Sequence, residues 1–306
     1  MMKNSNKVSF IGCGKVGMTA AYALFLDGSA NEIVLLGRCK DDIVGEELDL
    51  EHALSFVDTA TVKSTERYED IAESDVVVIT AGAAQKPGET RLDLAQKNTA
   101  IIEDIIPKVV AHAPDAIIVI VSNPVDILTY KAYQLSGLPK GRIFGSGTVL
   151  DSARFRFHLS EFLKVSPQSI HAYILGEHGD SSFPVISSAS VGGQPLQTFE
   201  GFSEDKAMMA YEKARTAAAK IIESKGATYY AIGVVILKII KTILRDSKSV
   251  LPVSVPLHGY YGHYGVALSV PSIVGRQGVE RSLEIKMNWE EKSKLEHSVN
   301  QLKKYL

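Results

Sequence analysis

Lys7-Val8-Ser9-Phe10-Ile11-Gly12-Cys13-Gly14-Lys15-Val16-Gly17 decides the fold. A short run of strand composition leads directly into G-x-G-x-x-G, and residues 16–26 then show helix spacing. In a strand–turn–helix unit each glycine has its own task. Gly12 permits the tight turn, Gly14 lets a pyrophosphate approach the backbone, and Gly17 lets the helix lie against the strand. The phosphates would rest at the helix N-terminus, where unpaired N–H groups and the helix dipole favour negative charge. Glycine clusters often only make turns, but here a second strand, 32–36, follows at about the 20-residue distance a dinucleotide-binding unit requires. One part departs from that pattern. Where an acid ordinarily holds the ribose hydroxyls, the second strand ends on Gly37, and Arg38 follows.

The alternation continues outward. Helix spacing covers 43–56, apolar strands cover 75–80 and 116–121, and a helix over 92–111 lies between those two strands. Continuous apolar strands separated by helices predict a doubly wound parallel sheet covered on both faces, an α/β Rossmann arrangement. After about residue 145 the pattern changes. A helix over 149–163 precedes strands at 170–175 and 184–191, with Gly192-Gly193 placed for a hairpin turn and Pro195 just beyond. Helices over 203–224 and 228–245, strands at 249–257 and 266–269, and a charged helix over 289–304 complete the chain. A length of 306 residues suits two domains. The expected division is a dinucleotide-binding domain, 1–145, and an α+β catalytic and substrate-binding domain, 146–306.

Composition narrows the function classes. There are 33 Lys+Arg against 35 Asp+Glu, a formal net charge of −2, with 45% hydrophobic and 22% charged residues. These values are ordinary for a soluble globular chain and exclude disorder and collagen-like repeats. The balance offers no electrostatic reason to expect nucleic acid or an acidic membrane surface as partner. Cys13 and Cys39 make neither a disulfide framework nor a four-thiolate metal site, and their scarcity fits a reducing compartment. The apolar run 8–11 is too short for a signal-peptide core, and the greasiest stretch, 227–243, is interrupted by Lys238 and Lys241. The expectation is a soluble cytoplasmic protein.

Four further segments carry polar residues that packing does not demand. Residues 81–91, Ala-Gly-Ala-Ala-Gln-Lys-Pro-Gly-Glu-Thr-Arg, follow a strand's carboxyl end, where open α/β sheets bind ligands, and their Gly and Pro content predicts a mobile loop. Ser122-Asn123-Pro124-Val125-Asp126 occupies the same place after another strand, and Asn before Pro forces a sharp exit. Asn123 either presents its amide to ligands or only shapes the turn. Asp151 and Arg154 share a helix face, and spacing alone favours an ordinary surface ion pair. Gly176-Glu177-His178-Gly179-Asp180-Ser181 holds a histidine flanked by acids and glycines, and imidazole titrating near pH 6.5 suits proton exchange. A zinc site is the alternative there, but no second His or Cys lies at ligand spacing, so no metal is expected.

Together with Thr228-Tyr229-Tyr230-Ala231-Ile232, these segments resemble, in order and spacing over essentially the whole chain, the lactate/malate dehydrogenase family, its bacterial L-lactate branch most closely. The resemblance implies hydride transfer between a nicotinamide cofactor, NAD(H), and pyruvate or L-lactate. It makes His178 the general acid/base, oriented by Asp151. Arg154 grips the substrate carboxylate and Arg91 polarises the carbonyl, while Gln85, Asn123, Asp126 and Thr228 line the substrate. The cofactor would be held by Gly12, Gly14, Val16, Gly17, Gly37, Arg38, Tyr68, Gly82, Ala83, Val121, Asn123, Ser146 and Ile232. Gln85 stands where oxaloacetate enzymes of the family carry Arg, which implies pyruvate over a dicarboxylate. The rival readings are a malate or other L-2-hydroxyacid dehydrogenase, a metal-requiring nicotinamide-dependent glycosidase, and a nucleotide sensor without turnover. Gln85 opposes the first while leaving larger 2-oxo acids open, the 176–181 segment opposes the second, and the joint presence of Asp151, His178, Arg154 and Arg91 the third.

Two expectations go further. Arg156 lies about 200° round the helix from Arg154, so the two cannot serve one pocket, and His171 sits on the strand leading to His178. Spacing alone makes Arg156 and His171 unrelated surface cations. The resemblance instead implies a homotetramer activated by fructose 1,6-bisphosphate through these two residues. At the cofactor's other end, Gly37 can neither bond the ribose hydroxyls nor repel a 2′-phosphate, and Arg38 offers a guanidinium to one. NADP(H) is therefore expected to be accepted at least comparably with NAD(H), or preferred; the alternative is that Arg38 points to solvent and NAD(H) is only bound more weakly. Asp41 and Asp42, the nearest acids, are assigned to the first turn of the next helix.

Overall fold

The computed structural model describes residues 6–58, 60–83 and 91–306, the side chain of Arg91 excepted. Six parallel strands form its centre: β1 (Lys7–Ile11), β2 (Glu32–Leu36), β3 (Thr61–Thr65), β4 (Val76–Ile79), β5 (Ile117–Ile120) and β6 (Ile143–Gly145). They run in the order β3-β2-β1-β4-β5-β6, with the direction of winding reversing between β1 and β4. This is the doubly wound arrangement, and its ligand crevice lies beyond the carboxyl ends at that reversal. Phe10, Val78 and Val119 are fully buried, because helices cover both faces of the sheet. The covering helices are α1 (Lys15–Asp27), α2 (Val44–His52), α3 (Arg91–His112) and α4 (Val125–Ser136). Two departures from the expected elements concern the edge. The strand β3 was not foreseen, because an edge strand of composition Thr-Val-Lys-Ser-Thr has no apolar run. The helix expected over 43–56 ends at His52, and a separate one-turn helix, Leu54–Phe56, follows.

The remaining elements are α5 (Val149–Leu163), β7 (Ile170–Leu175), β8 (Phe183–Val191), β9 (Gln194–Pro195), α6 (Glu204–Lys225), α7 (Tyr230–Leu244), β10 (Ser249–Tyr260), β11 (His263–Gly275), β12 (Gly278–Ser282) and α8 (Trp289–Lys303). Separate runs of antiparallel strands suggested a sheet of their own. Among the described residues only β7, β8 and β9 make one. The strands β10, β11 and β12 instead continue the parallel sheet antiparallel beyond β6, Ser254 lying opposite Gly145, to give nine strands in all. The physical reason is the open edge of β6, whose backbone groups need partners that a long hairpin supplies.

Contact between α7 and α1 brings the two halves of the site together. A side-chain carbon at Gly233 would lie 2.6 Å from Cγ2 of Thr19, so only glycine allows α7 this close to α1. The segment entering α7, which holds Thr228, is thereby set beside the glycine loop. A third cluster, with Phe155, Leu159, Ile170, Ile174 and Ala210 at its centre, fixes α5 against β7 and α6. Among the described residues no helix is long and apolar enough to cross a membrane.

Candidate active site

The glycine loop has the shape its sequence requires. Gly12 adopts φ +103° and donates its N–H to the Leu36 carbonyl at 3.0 Å. At Gly17 a side-chain carbon would lie 2.1 Å from the Gly12 carbonyl oxygen. Among the described residues nothing lies within 4 Å of where a side chain at Gly14 would start. This glycine caps α1, whose first turn has no side-chain cap and no acidic residue, so these N–H groups suit a phosphate. The residues present therefore fit a dinucleotide pyrophosphate.

The other cofactor candidates are distributed around this crevice. Val16 and Ile232 are half-buried on α1 and α7 and pack against one core cluster. Tyr68 opens a one-turn helix after β3; burial pushes its phenol up to about 12, and Lys108 Nζ lies 5.4 Å from its ring centroid. Val121 and Ser146 follow β5 and β6, both buried, and Ser146 donates its N–H to Ile120. Gly82 and Ala83 follow β4. Gly37 follows β2 and donates its N–H to Thr65, while Arg38 is exposed and has no ion pair among the described residues. Asp41 and Asp42 differ from expectation, forming with Lys40 a one-turn helix of their own ahead of α2.

Asp151 and Arg154 lie on the first two turns of α5, Nη1 to Oδ1 3.4 Å. They are not a surface pair, with side-chain exposures of 15% and 12%. Packing of α5 beneath the loop that leaves β7 encloses them, which helix spacing alone does not reveal. That loop holds His178, whose Nδ1 lies 2.6 Å from Oδ2 of Asp151. The loop is pinned on both sides. Gly176 pairs with Ser269 of β11 through two backbone hydrogen bonds, and the Glu177 N–H donates to Ser298 Oγ of α8 at 2.7 Å. Arg154 Nη2 is buried without a hydrogen-bond partner among the described residues, leaving one arm of the guanidinium to receive an acceptor.

Charge follows this geometry. The Asp151 carboxylate outweighs burial and raises the His178 imidazole to about 9. Burial would raise Asp151, but the charge of His178 and then that of Arg154 hold it below the usual carboxylate range. Asp126 is buried and raised to about 6 by that burial, against its bonds to Ser254 and His178.

Asp126 was expected along the substrate. Its carboxylate instead accepts the backbone N–H of His178 at 2.7 Å and the Ser254 hydroxyl at 2.6 Å, so both oxygens are engaged with protein. Asn123 is exposed, and its carbonyl accepts Asn98 Nδ2 at 2.6 Å. Thr228 is half-buried just ahead of α7. The backbone of Arg91 opens α3; its side chain and residues 84–90, Gln85 among them, lie outside the described residues. Arg156 donates Nε to the Ser152 carbonyl at 3.3 Å and lies in electrostatic reach of Tyr173, which shares the outer face of β7 with exposed His171. Ser254, Ser298 and Asn98 were not singled out. For Asn98 a signal existed, an amide on the apolar stripe Leu94, Ala95 and Ile102.

A glycine loop at the reversal point of a doubly wound sheet, facing an imidazole–carboxylate pair, defines a dinucleotide-dependent oxidoreductase. Residues 6–145 match the NAD binding domain of lactate/malate dehydrogenase and residues 148–306 its alpha/beta C-terminal domain. The chain belongs to the lactate/malate dehydrogenase family. It is 47% identical to L-lactate dehydrogenase 1 of Clostridium acetobutylicum, covering 100% of this chain and 99% of that protein. It is 46% identical to the L-lactate dehydrogenase of Thermoanaerobacterium saccharolyticum, covering 96% of each. The crystal structure of the minor L-lactate dehydrogenase of Enterococcus mundtii, in a ligand-bound form, superposes with TM-score 0.95 at 42% identity over 99% of this chain and 98% of that one.

Proposed function

We propose that the chain is an L-lactate dehydrogenase, interconverting pyruvate and L-lactate. The observation that carries this reading is the 2.6 Å contact between His178 Nδ1 and Asp151, next to a buried Arg154 arm that lacks a partner among the described residues. With Nδ1 committed to Asp151, Nε2 of His178 is the atom left to exchange a proton with the substrate oxygen. An imidazole raised to about 9 is protonated at neutral pH, which suits donation to the carbonyl of pyruvate. Arg154 would bind the carboxylate through its planar fork, and Arg91 would polarise the carbonyl. A neutral residue such as Gln85 would meet the methyl group of pyruvate without cost but would leave a second carboxylate unpaired. When bound, the nicotinamide supplies or accepts the hydride.

In this reading residues 1–145 form the dinucleotide-binding domain and 146–306 the catalytic and substrate-binding domain, although a single sheet runs through both. NAD(H) is the family's cofactor, and NADP(H) is accepted as well because Gly37 presents no acid. The enzyme works in the cytoplasm as a homotetramer activated by fructose 1,6-bisphosphate at Arg156 and His171. The names of the relatives support only the L-lactate dehydrogenase reading; the activator site rests on the face of β7 that His171 shares with Tyr173, in electrostatic reach of Arg156. The deciding experiment compares kcat/KM for pyruvate and for oxaloacetate. Pyruvate is expected to be preferred; a preference for oxaloacetate overturns the reading in favour of a malate dehydrogenase.

A further inference from the structure

Asn98 lies within α3 and is only 1% exposed. A carboxamide among Leu94, Ala95 and Ile102 must find its partners inside the protein. It finds them on two neighbouring strand exits. Oδ1 accepts the N–H of Ala83 at 2.7 Å. Nδ2 donates to the carbonyl of Ala83 at 3.2 Å and to the carbonyl of Asn123 at 2.6 Å. Ala83 leaves β4 and Asn123 leaves β5, and these strands are adjacent in the parallel sheet. Gly82 completes the fit, since a side-chain carbon there would rest 3.4 Å from both polar atoms of the Asn98 amide.

This pattern calls for one acceptor and two donors in a single plane, which only an amide of this length offers. A carboxylate keeps the Ala83 N–H but sets an oxygen against two carbonyls, while leucine fills the space and bonds to nothing. The two segments held in this way flank the crevice between the glycine loop and His178. We propose that Asn98 is a positioning residue, setting the separation of the Ala83 and Asn123 backbones so that cofactor and substrate meet at the reacting distance. The inference deepens the reading of the site as a 2-oxo-acid reductase and rests on it. With its amide spent on Ala83 and Asn123, Asn98 would act on the rate through those two backbones. Small displacements of such groups cost rate more than they cost stability.

The test uses the full chain and four variants: Asn98→Leu, Asn98→Asp, Asn98→Ser and, as a control, Ser74→Ala. Ser74 Oγ bonds Ser9 Oγ at 2.7 Å and the Ile71 carbonyl at 2.7 Å, ahead of β4 at the far end of the sheet. Removing it therefore loosens the same sheet without reaching the crevice. Each variant is measured for Tm, for NADH affinity by fluorescence titration, and for kcat and KM with pyruvate. Asn98→Leu and Asn98→Asp are expected to lose about tenfold or more in kcat, and Asn98→Ser less, with KM changing little. Ser74→Ala is expected to lower Tm comparably while kcat stays within about twofold. Wild-type kcat in any folded Asn98 variant, or an equal loss of kcat in Ser74→Ala, overturns the proposal. Should the Leu and Asp forms be insoluble, the Asn98→Ser comparison decides alone. Failure of the wild type to reduce pyruvate would refute the functional reading instead, and the same comparison then runs with whichever 2-oxo acid it reduces.

Discussion

The backbone N–H of His178 ends on Oδ2 of Asp126 at 2.7 Å, so two carboxylates from two helices hold this one residue. Asp151 on α5 takes the ring and Asp126 on α4 takes the main chain. Asp126 carries a burial cost that depends on pH. Its carboxyl, raised to about 6 in the fold from 3.8, contributes stability below 3.8 that is lost as pH rises through about 6. Above that the charged form costs up to about 3 kcal/mol. In Asp126→Asn the amide oxygen still accepts from His178, and the Ser254 hydroxyl can turn to accept from the amide nitrogen. The Tm of Asp126→Asn relative to wild type is expected to improve by a few degrees between about pH 5 and pH 8. Thermal melts across that range check it, and a relative Tm that falls with pH sinks the idea.

The ring side behaves differently. Pyruvate reduction needs the imidazolium, and Asp151 is the main reason the imidazole titrates near 9. Asp151→Asn should bring the alkaline limb of kcat/KM for pyruvate down towards about 6.5, with a rate loss of about a hundredfold or more. Stability has the matching sign. A raised imidazole value contributes stability in full below about 6.5, lost as pH rises through about 9, and His178→Asn should flatten that decline. A pH–rate profile unchanged in Asp151→Asn would refute the assignment.

Arg154 tests the carboxylate grip. Its Nη1 rests against Asp151 while Nη2 has no partner among the described residues, so lysine at this position keeps a charge but loses the two-armed geometry. Arg154→Lys is expected to raise KM for pyruvate by about a hundredfold, some 2.7 kcal/mol, with a smaller change in kcat. Steady-state kinetics decide it; a KM within about threefold of wild type removes Arg154 from the binding role.

How legible these features were depended on whether the signal was local. Apolar runs such as 7–11 and 32–36 read as strands because both faces of those strands are buried. The polar edge strand β3 and the joining of β10 to β6 gave no such signal, since one depends on a single buried face and the other on an unpaired edge far away in sequence. The same divide runs through the site. Glycine spacing announces the loop around Gly14, but the Asp151–Arg154 pair reads as a surface pair until β7 and its loop are packed above α5. Asp126 carried a sequence position without a direction, and only the fold shows its carboxylate turned to His178 and Ser254.

The outer face of α5 and β7 supports a prediction about regulation. Arg156 and His171 are close to Tyr173 on that face, on the opposite side of α5 from Arg154. Two-fold assembly would double these cations around one bisphosphate and relieve their repulsion. Fructose 1,6-bisphosphate is expected to lower the pyruvate concentration at half-saturation in the wild type, but not in Arg156→Gln or His171→Ala. Saturation curves at low enzyme concentration, with sedimentation of the same samples, check both halves. Curves that the bisphosphate leaves unchanged would dispose of the activator site.

Cofactor choice is expected to turn on Gly37. With no acid at Gly37, an adenosine ribose bound there would lack a charged acceptor, worth about 1.5–3 kcal/mol, and a 2′-phosphate would meet no carboxylate at that position. Arg38 is exposed with no ion pair among the described residues and can offer two parallel N–H groups. Against it stand Asp41 and Asp42, on their own one-turn helix just downstream. Restoring the acid is sterically feasible, since a side-chain carbon at Gly37 meets Cδ1 of Ile43 at 3.0 Å, the movable tip of a side chain. The expected outcome is a kcat/KM for NADPH within about a hundredfold of that for NADH. Gly37→Asp should then shift the ratio towards NADH by about tenfold or more, and Arg38→Ala should lower only the NADPH value. Titration of the enzyme with adenosine 2′,5′-bisphosphate and with 5′-AMP reads the same difference without turnover. A wild-type preference for NADH beyond about a hundredfold, some 2.7 kcal/mol, would mean that Arg38 stays in solvent and that the missing acid weakens binding without widening it.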